Sequence, residues 1–190
     1  MDLEEVIYKR RTIRRFKQDP IPLETLKKLI DYARVAPAGS NIQALEYVIV
    51  NGEEIAERMF PLVRFAGSLP KEQKPTIENK PMAYIIILVN TDIKKSFFEY
   101  DIGAAAENIL LGAITFGLGC CWMASINGRK IKSLLEIPDN YQIVQLISMG
   151  FPDEESVIEF YKDSFKYWKD ENGKMHVPKR ALDDIILKIV

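Results

Sequence analysis

The chain has 190 residues, 47% of them apolar and 28% charged, and its 26 basic and 27 acidic side chains leave a net charge of −1. This is ordinary globular usage at a length suited to one domain, residues 1–190, and it excludes disorder, collagen, coiled coil and a generally basic nucleic-acid binder. A single histidine, His176, rules out zinc sites built on two or three histidines of one chain, and two adjacent cysteines, Cys120 and Cys121, rule out a disulfide framework.

The first residues are acidic and lack an apolar stretch, so no secretory signal is expected, and unpaired thiols fit a reducing cytoplasm. Asp2 and Glu5 have the spacing of a capping box and predict a short first helix. A basic cluster, Arg10-Arg11-Thr12-Ile13-Arg14-Arg15-Phe16, follows it. Leu23, Leu26, Leu29, Ile30 and Ala33 recur at helical spacing until Pro37. A loop, residues 37–43, then leads into a strand over 45–50. Residues 53–65 read as a helix kinked at Pro61, and 67–81 as an exposed loop.

Residues 82–89 are continuously apolar, which predicts a strand buried on both faces. Residues 101–116 read as a helix of small residues and 120–124 as the next strand. The uncharged run 109–126 reaches transmembrane length, but Gly117-Leu118-Gly119 divides it, so a buried helix followed by a buried strand is expected and no membrane span. Asn127 can cap a helix carrying Ile131, Leu134 and Leu135, and 141–149 is the last clear strand. The tail, 151–180, is polar and aromatic without a clean period, and 181–190 reads as a closing helix. The whole predicts helices packed on a sheet of four or five strands. The aromatic tail is poorly placed to close on its own domain, which points to wrapping around a second copy.

Gly117-Leu118-Gly119 opens like a dinucleotide fingerprint, but Trp122 stands at the third glycine position and the segment ends a helix. There is no Walker A motif and no G-x-S-x-G. Cys120 and Cys121 lie in an apolar run, where thiols are inert core residues. Arg10, Arg11, Arg14 and Arg15, with the Thr12 hydroxyl, fit either a solvated helix end or an anion site, since guanidinium forks match phosphate oxygens. Arg180, in Pro178-Lys179-Arg180, is a second candidate phosphate contact. In residues 37–43, Gly39 permits close backbone approach, while Asn41 and Gln43 can serve a heterocyclic edge. The same loop also reads as a helix end and turn.

Taken in order, these pieces resemble the nitroreductase family of FMN-dependent oxidoreductases. Arg10-Arg11-Thr12-Ile13-Arg14-Arg15-Phe16 is similar to the family's opening arginine stretch. Pro37-Ala38-Gly39-Ser40-Asn41-Ile42-Gln43 resembles its loop, with Ala44-Leu45 replacing the usual Pro-Trp. Residues 101–108 resemble its central helix, and Gly117-Leu118-Gly119-Cys120-Cys121-Trp122-Met123 its Gly-Leu-Gly-x-x-Trp-Met segment. Residues 134–138 and 148–152 look like its late helix and strand. Arg180 stands where the family keeps a terminal phosphate arginine.

The resemblance implies an α+β fold, a mixed sheet flanked by helices, and an obligate homodimer with one FMN per subunit. It implies that Arg10, Thr12 and Arg180 hold the phosphate and ribityl chain, that Arg11 is a further cofactor contact and that Arg14 faces the flavin N1–O2 edge. Pro37, Ala38, Gly39 and Asn41 would come from the other subunit. Trp122, Met123 and Ala124 would line one ring face, with the Ala124 or Ser125 amide near N5. It further implies electron transfer from NAD(P)H to a small acceptor such as a nitroaromatic or quinone. No side chain is then required as acid, base or nucleophile, because the cofactor does the chemistry. Flavin handling of another kind, by flavin destruction or dehalogenation, is the alternative the same resemblance leaves open.

Overall fold

A computed structural model describes residues 1–190. Helix α1 (Leu3–Lys9) opens with the expected capping box: Asp2 accepts the Glu5 N–H and Glu5 accepts the Asp2 N–H. Helix α2 (Leu23–Arg34) turns Leu26, Leu29 and Ala33 inward at helical spacing. Strand β1 (Leu45–Asn51), helix α3 (Glu53–Met59), strand β2 (Ala83–Asn90) and helix α4 (Glu99–Thr115) follow. Then come β3 (Gly119–Met123), α5 (Gly128–Leu134) and β4 (Tyr141–Gly150). Asn127 caps α5 by accepting the Lys130 N–H.

The four strands form one sheet in the order β1-β2-β4-β3, antiparallel throughout. β2 is central and buried along its length, as its unbroken apolar run predicts. Successive strand residues point to opposite faces. Ile85 and Ile87 therefore meet α2 and α4, whereas Tyr84, Ile86 and Leu88 meet Ala56 and Met59 of α3 and Ile131 of α5. Cys120 and Cys121 divide in the same way, one into each core, and both remain free thiols.

The uncharged run resolves into the second half of α4, a turn at Gly117 and β3. The Leu118 N–H returns to the Ala113 carbonyl, and Gly117 takes φ +72°, a conformation that glycine adopts without strain. No helix is long and apolar enough to cross a membrane.

Three expectations need correction. Residues 67–81 are not simply an exposed loop: they hold two short 3-10 turns, and Leu69 and Lys80 are buried. The tail forms a second sheet, β5 (Ser156–Phe160), β6 (Trp168–Lys169) and β7 (Met175–Lys179), ordered β5-β7-β6. Here β5 and β7 are parallel and β6 is antiparallel, so the mixed pairing lies in this second sheet. Residues 181–190 form no helix and are exposed. Their apolar residues have helical spacing but nothing in the chain to pack on, and a ten-residue helix alone is unstable in water.

Candidate functional site

The arginine-rich segment runs extended beside the sheet edge, an irregular arginine strand joined to the sheet by isolated bridges only. Thr12 forms a parallel bridge with Cys120, and Ile13 N–H donates to the Cys120 carbonyl at 2.9 Å. Phe16 bridges Pro152, and Lys17 N–H donates to the Phe151 carbonyl at 2.8 Å. Ile13 and Phe16 are pressed onto the ends of β3 and β4, where Gly119 faces Gly150. A Cβ at Gly119 would lie 2.8 Å from Ile13 Cβ, and one at Gly150 2.8 Å from Phe16 Cβ. The second glycine of Gly117-Leu118-Gly119 therefore lets the arginine strand sit close. Gly119→Ala is expected to cost about 1–3 kcal/mol through overpacking, read as a lower urea midpoint at constant m-value.

The strand is held from its other side by Glu154. Its Oε1 accepts the N–H groups of Arg14 at 2.5 Å and Arg15 at 3.2 Å, and its Oε2 meets Lys169 Nζ at 2.6 Å. The two side chains are 3% and 4% exposed, so this is a buried ion pair joining β6 to the arginine strand. The Arg14 guanidinium lies 4.6 Å from the centre of the Tyr167 ring. Neither Glu154 nor Lys169 stands out in the sequence, because the carboxylate serves backbone groups some 140 residues away.

Arg10, Arg11 and Arg180 line one cleft of about 1070 Å³, at the upper end of ligand-pocket sizes. Lys162, Lys166 and Lys179 share it with a single acid, Glu159. Arg10 Nε is 3.5 Å from Glu107 of α4. Arg11 Nε is buried without a hydrogen-bond partner. Burial lowers the Arg11 pKa, the adjacent Arg10 charge lowers it further, and Glu107 opposes both. A phosphate in the cleft would satisfy the orphaned donor and offset the repulsion, so these residues fit an anionic group.

The Pro37–Asn41 loop lies elsewhere. Pro37 and Ala38 line a separate cleft of about 440 Å³ with Leu45, Tyr47 and Ala105, and burial pushes the Tyr47 hydroxyl up to about 12. Ser40, Asn41 and Gln43 take φ of 53°, 55° and 55°, a costly conformation for non-glycine residues. The loop is anchored by Asp101, which accepts the Gly39 N–H at 2.8 Å and meets Lys94 Nζ at 2.6 Å. Burial alone would raise the Asp101 pKa. The Lys94 hydrogen bond, the Gly39 N–H and the Lys94 charge outweigh burial and hold it below 3.8. A carboxyl lowered on folding adds stability above its unfolded pKa, and that contribution is lost as pH falls through the folded value. The wild type should therefore lose stability below about pH 4, and Asp101→Asn should flatten that limb in urea midpoints measured between pH 6 and pH 2.5.

At the end of β3, Trp122 is exposed and Met123 buried, while Ala124 and Ser125 line a third cleft. Burial pushes the Cys121 thiol up to about 11 and the Cys120 thiol higher still, which suits core residues and not nucleophiles. Among the sequence-derived candidates, the chain thus brings Arg10, Arg11 and Arg180 together. It leaves the loop and the β3 end in clefts of their own.

Residues 7–151 match the sequence model of the Nitroreductase family. A relative from Archaeoglobus fulgidus, provisionally named an NADH dehydrogenase/NAD(P)H nitroreductase, is 29% identical over 87% of this chain and 93% of its own. An iodotyrosine deiodinase from Thermotoga neapolitana is 26% identical over 80% of this chain and 89% of its own. Among solved structures, an FMN-dependent nitroreductase from Clostridium difficile is 25% identical, with a TM-score of 0.68 over 84% of this chain and 92% of that one. The matched stretch holds the arginine strand, the anchored loop and the whole four-stranded sheet, and by that match the chain belongs to the Nitroreductase family.

Proposed function

We propose that this chain is an FMN-dependent oxidoreductase that carries electrons from NAD(P)H to a small electrophile such as a nitroaromatic or quinone, and that it works as a homodimer. The observation that carries this reading is the Arg10–Arg11–Arg180 cleft with its unpartnered Arg11 Nε. Bound FMN would supply reversible hydride acceptance and donation. Arg10, Arg11 and Arg180 would hold its phosphate, with Thr12 beside the ribityl chain and Arg14 at the N1–O2 edge. Trp122, Met123, Ala124 and Ser125 would line one ring face. Pro37, Ala38, Gly39 and Asn41 would reach the ring of the other subunit. The loop's cleft and the arginine cleft share no residue in one chain, which supports a divided site. A reducing, cytoplasmic setting suits two free buried thiols.

The dimer has its own support. The chain exposes 11430 Å², roughly a quarter more than the area expected for a compact monomer of its mass. Tyr100, Gly103, Ala104, Glu107 and Leu111 form an outward stripe on α4, and Leu182, Ile185, Leu187 and Ile189 are exposed beyond the second sheet. Light scattering at micromolar concentration should give a dimer; a stable folded monomer would contradict the reading.

The cofactor assignment is tested by titrating apoprotein with FMN. Arg180→Ala and Arg10→Ala should each weaken binding by about 1.5–3 kcal/mol, or roughly 10- to 150-fold. Arg10 falls nearer the lower figure, because Glu107 already neutralises part of its charge. Unchanged dissociation constants in both variants would remove the cleft from the site. The electron-transfer assignment is tested by anaerobic NAD(P)H, which should bleach the yellow protein. Reductive dehalogenation is the second reading, favoured by the Thermotoga neapolitana relative. Reduced protein that leaves an iodotyrosine intact but consumes a nitroaromatic would exclude it.

A further inference from the structure

The third cleft, of about 560 Å³, is built from two segments latched together. Asn127 N–H donates to the Leu62 carbonyl at 2.7 Å, Arg64 N–H donates to the Ser125 carbonyl at 3.0 Å, and Val63 bridges Ile126. This fixes Arg64 on one wall, with Arg129 and Lys130 on the other. No aspartate or glutamate lines the cleft. None of the three cations takes part in an ion pair, so no acid of the chain neutralises them where they line the cleft. In a chain with more acids than bases, three converging unpaired cations make a local positive field, which an anion would neutralise. Ser125 and Asn127 add polar groups at the same place. Ala124 and Ser125, placed beside the flavin ring in the proposed function, form part of its lining.

We propose that Arg64, Arg129 and Lys130 bind the anionic group, a phosphate ester or a carboxylate, of the reactant that approaches the flavin. The cleft's role toward a reactant rests on the FMN reading; its capacity to bind an anion does not. The basic cleft of Arg10, Arg11 and Arg180 would hold the cofactor's phosphate, so the two anion sites have separate tasks. The phosphate could be that of the reducing dinucleotide, and the carboxylate that of the electron acceptor. Both sources present the same chemistry to the three cations, and kinetics separate them.

The test uses the protein as purified, with its FMN content read from visible absorbance. Calorimetric titration with inorganic pyrophosphate at low salt should show binding that weakens about tenfold in Arg64→Ala, Arg129→Ala and Lys130→Ala, and further as salt rises. Steady-state kinetics then compare NADPH with NADH, and 4-nitrobenzoate with nitrobenzene. A rise of about tenfold in KM for NADPH but not NADH assigns the 2′-phosphate of the dinucleotide. A rise for nitrobenzoate but not nitrobenzene assigns the acceptor's carboxylate. Pyrophosphate affinity and both KM ratios unchanged in all three variants would overturn the proposal. A chain that takes up no FMN would overturn the functional reading instead, and the same titration, with the three substitutions made in an Arg10→Ala, Arg180→Ala background, would still decide the anion site.

Discussion

Glu154→Ala should lower stability by about 3–5 kcal/mol, the cost of leaving Lys169 buried without its counter-ion. For a chain of this size that is a fall in melting temperature of roughly 6–20 °C. The loss has two parts. Lys169 Nζ would lose its counter-ion, and the Arg14 and Arg15 N–H groups would lose their acceptor. Glu154→Gln keeps one oxygen for those N–H groups but removes the charge. Combining it with Lys169→Met removes both charges of the pair while the amide oxygen still serves the strand. That double variant should recover much of the loss, since replacing a whole buried pair is far milder than breaking one. Thermal denaturation of the single and double variants decides the matter. A single variant as stable as the wild type would mean that water reaches Lys169 and that the clamp is not closed in solution.

How far the sequence predicts the fold follows from the range of the interactions. The α1 cap is legible because Asp2 and Glu5 satisfy each other within one turn. The α5 cap at Asn127 is legible for the same reason. β2 is legible because a strand buried on both faces must be apolar at every position. The second sheet is not. β6 has two residues, β7 contains Pro178, and β5 pairs in parallel with a strand some twenty residues away. No local period marks such pairings.

The site divides along the same line. Arg10, Arg11 and Arg180 announce themselves by residue type, and the fold gathers them into one cleft. Asp101, Lys94, Glu154 and Lys169 position backbone and carry no motif of their own. Arg64, Arg129 and Lys130 look like scattered surface charges until the Leu62–Asn127 latch brings them together.

The other large effect is expected at Arg14, and it is electrostatic. Unlike Arg10, Arg14 has no acid paired with its guanidinium, which rests on the Tyr167 ring, while the Glu154 clamp fixes its backbone. A cation so held is free to face charge that develops on a ligand, and it needs little reorganisation when that charge appears. If it faces the N1–O2 edge, it favours the reduced, negatively charged flavin over the neutral oxidised one. At an effective dielectric near 20, unit charges about 4 Å apart interact by about 4 kcal/mol, before the cost of desolvating the arginine is subtracted. Arg14→Ala protein that retains FMN should therefore have a lower two-electron potential, by about 30 mV for each 1.4 kcal/mol of net loss. Its reduction by NAD(P)H should slow in step. The deciding measurement is the midpoint potential of both proteins at one pH with bound flavin confirmed. Arg14→Lys sharpens the test, since it keeps the charge but loses the planar group that stacks on Tyr167. A potential restored by lysine assigns the effect to charge. A potential unchanged or raised in Arg14→Ala would remove Arg14 from the flavin edge and leave it as a strut between the arginine strand and the second sheet.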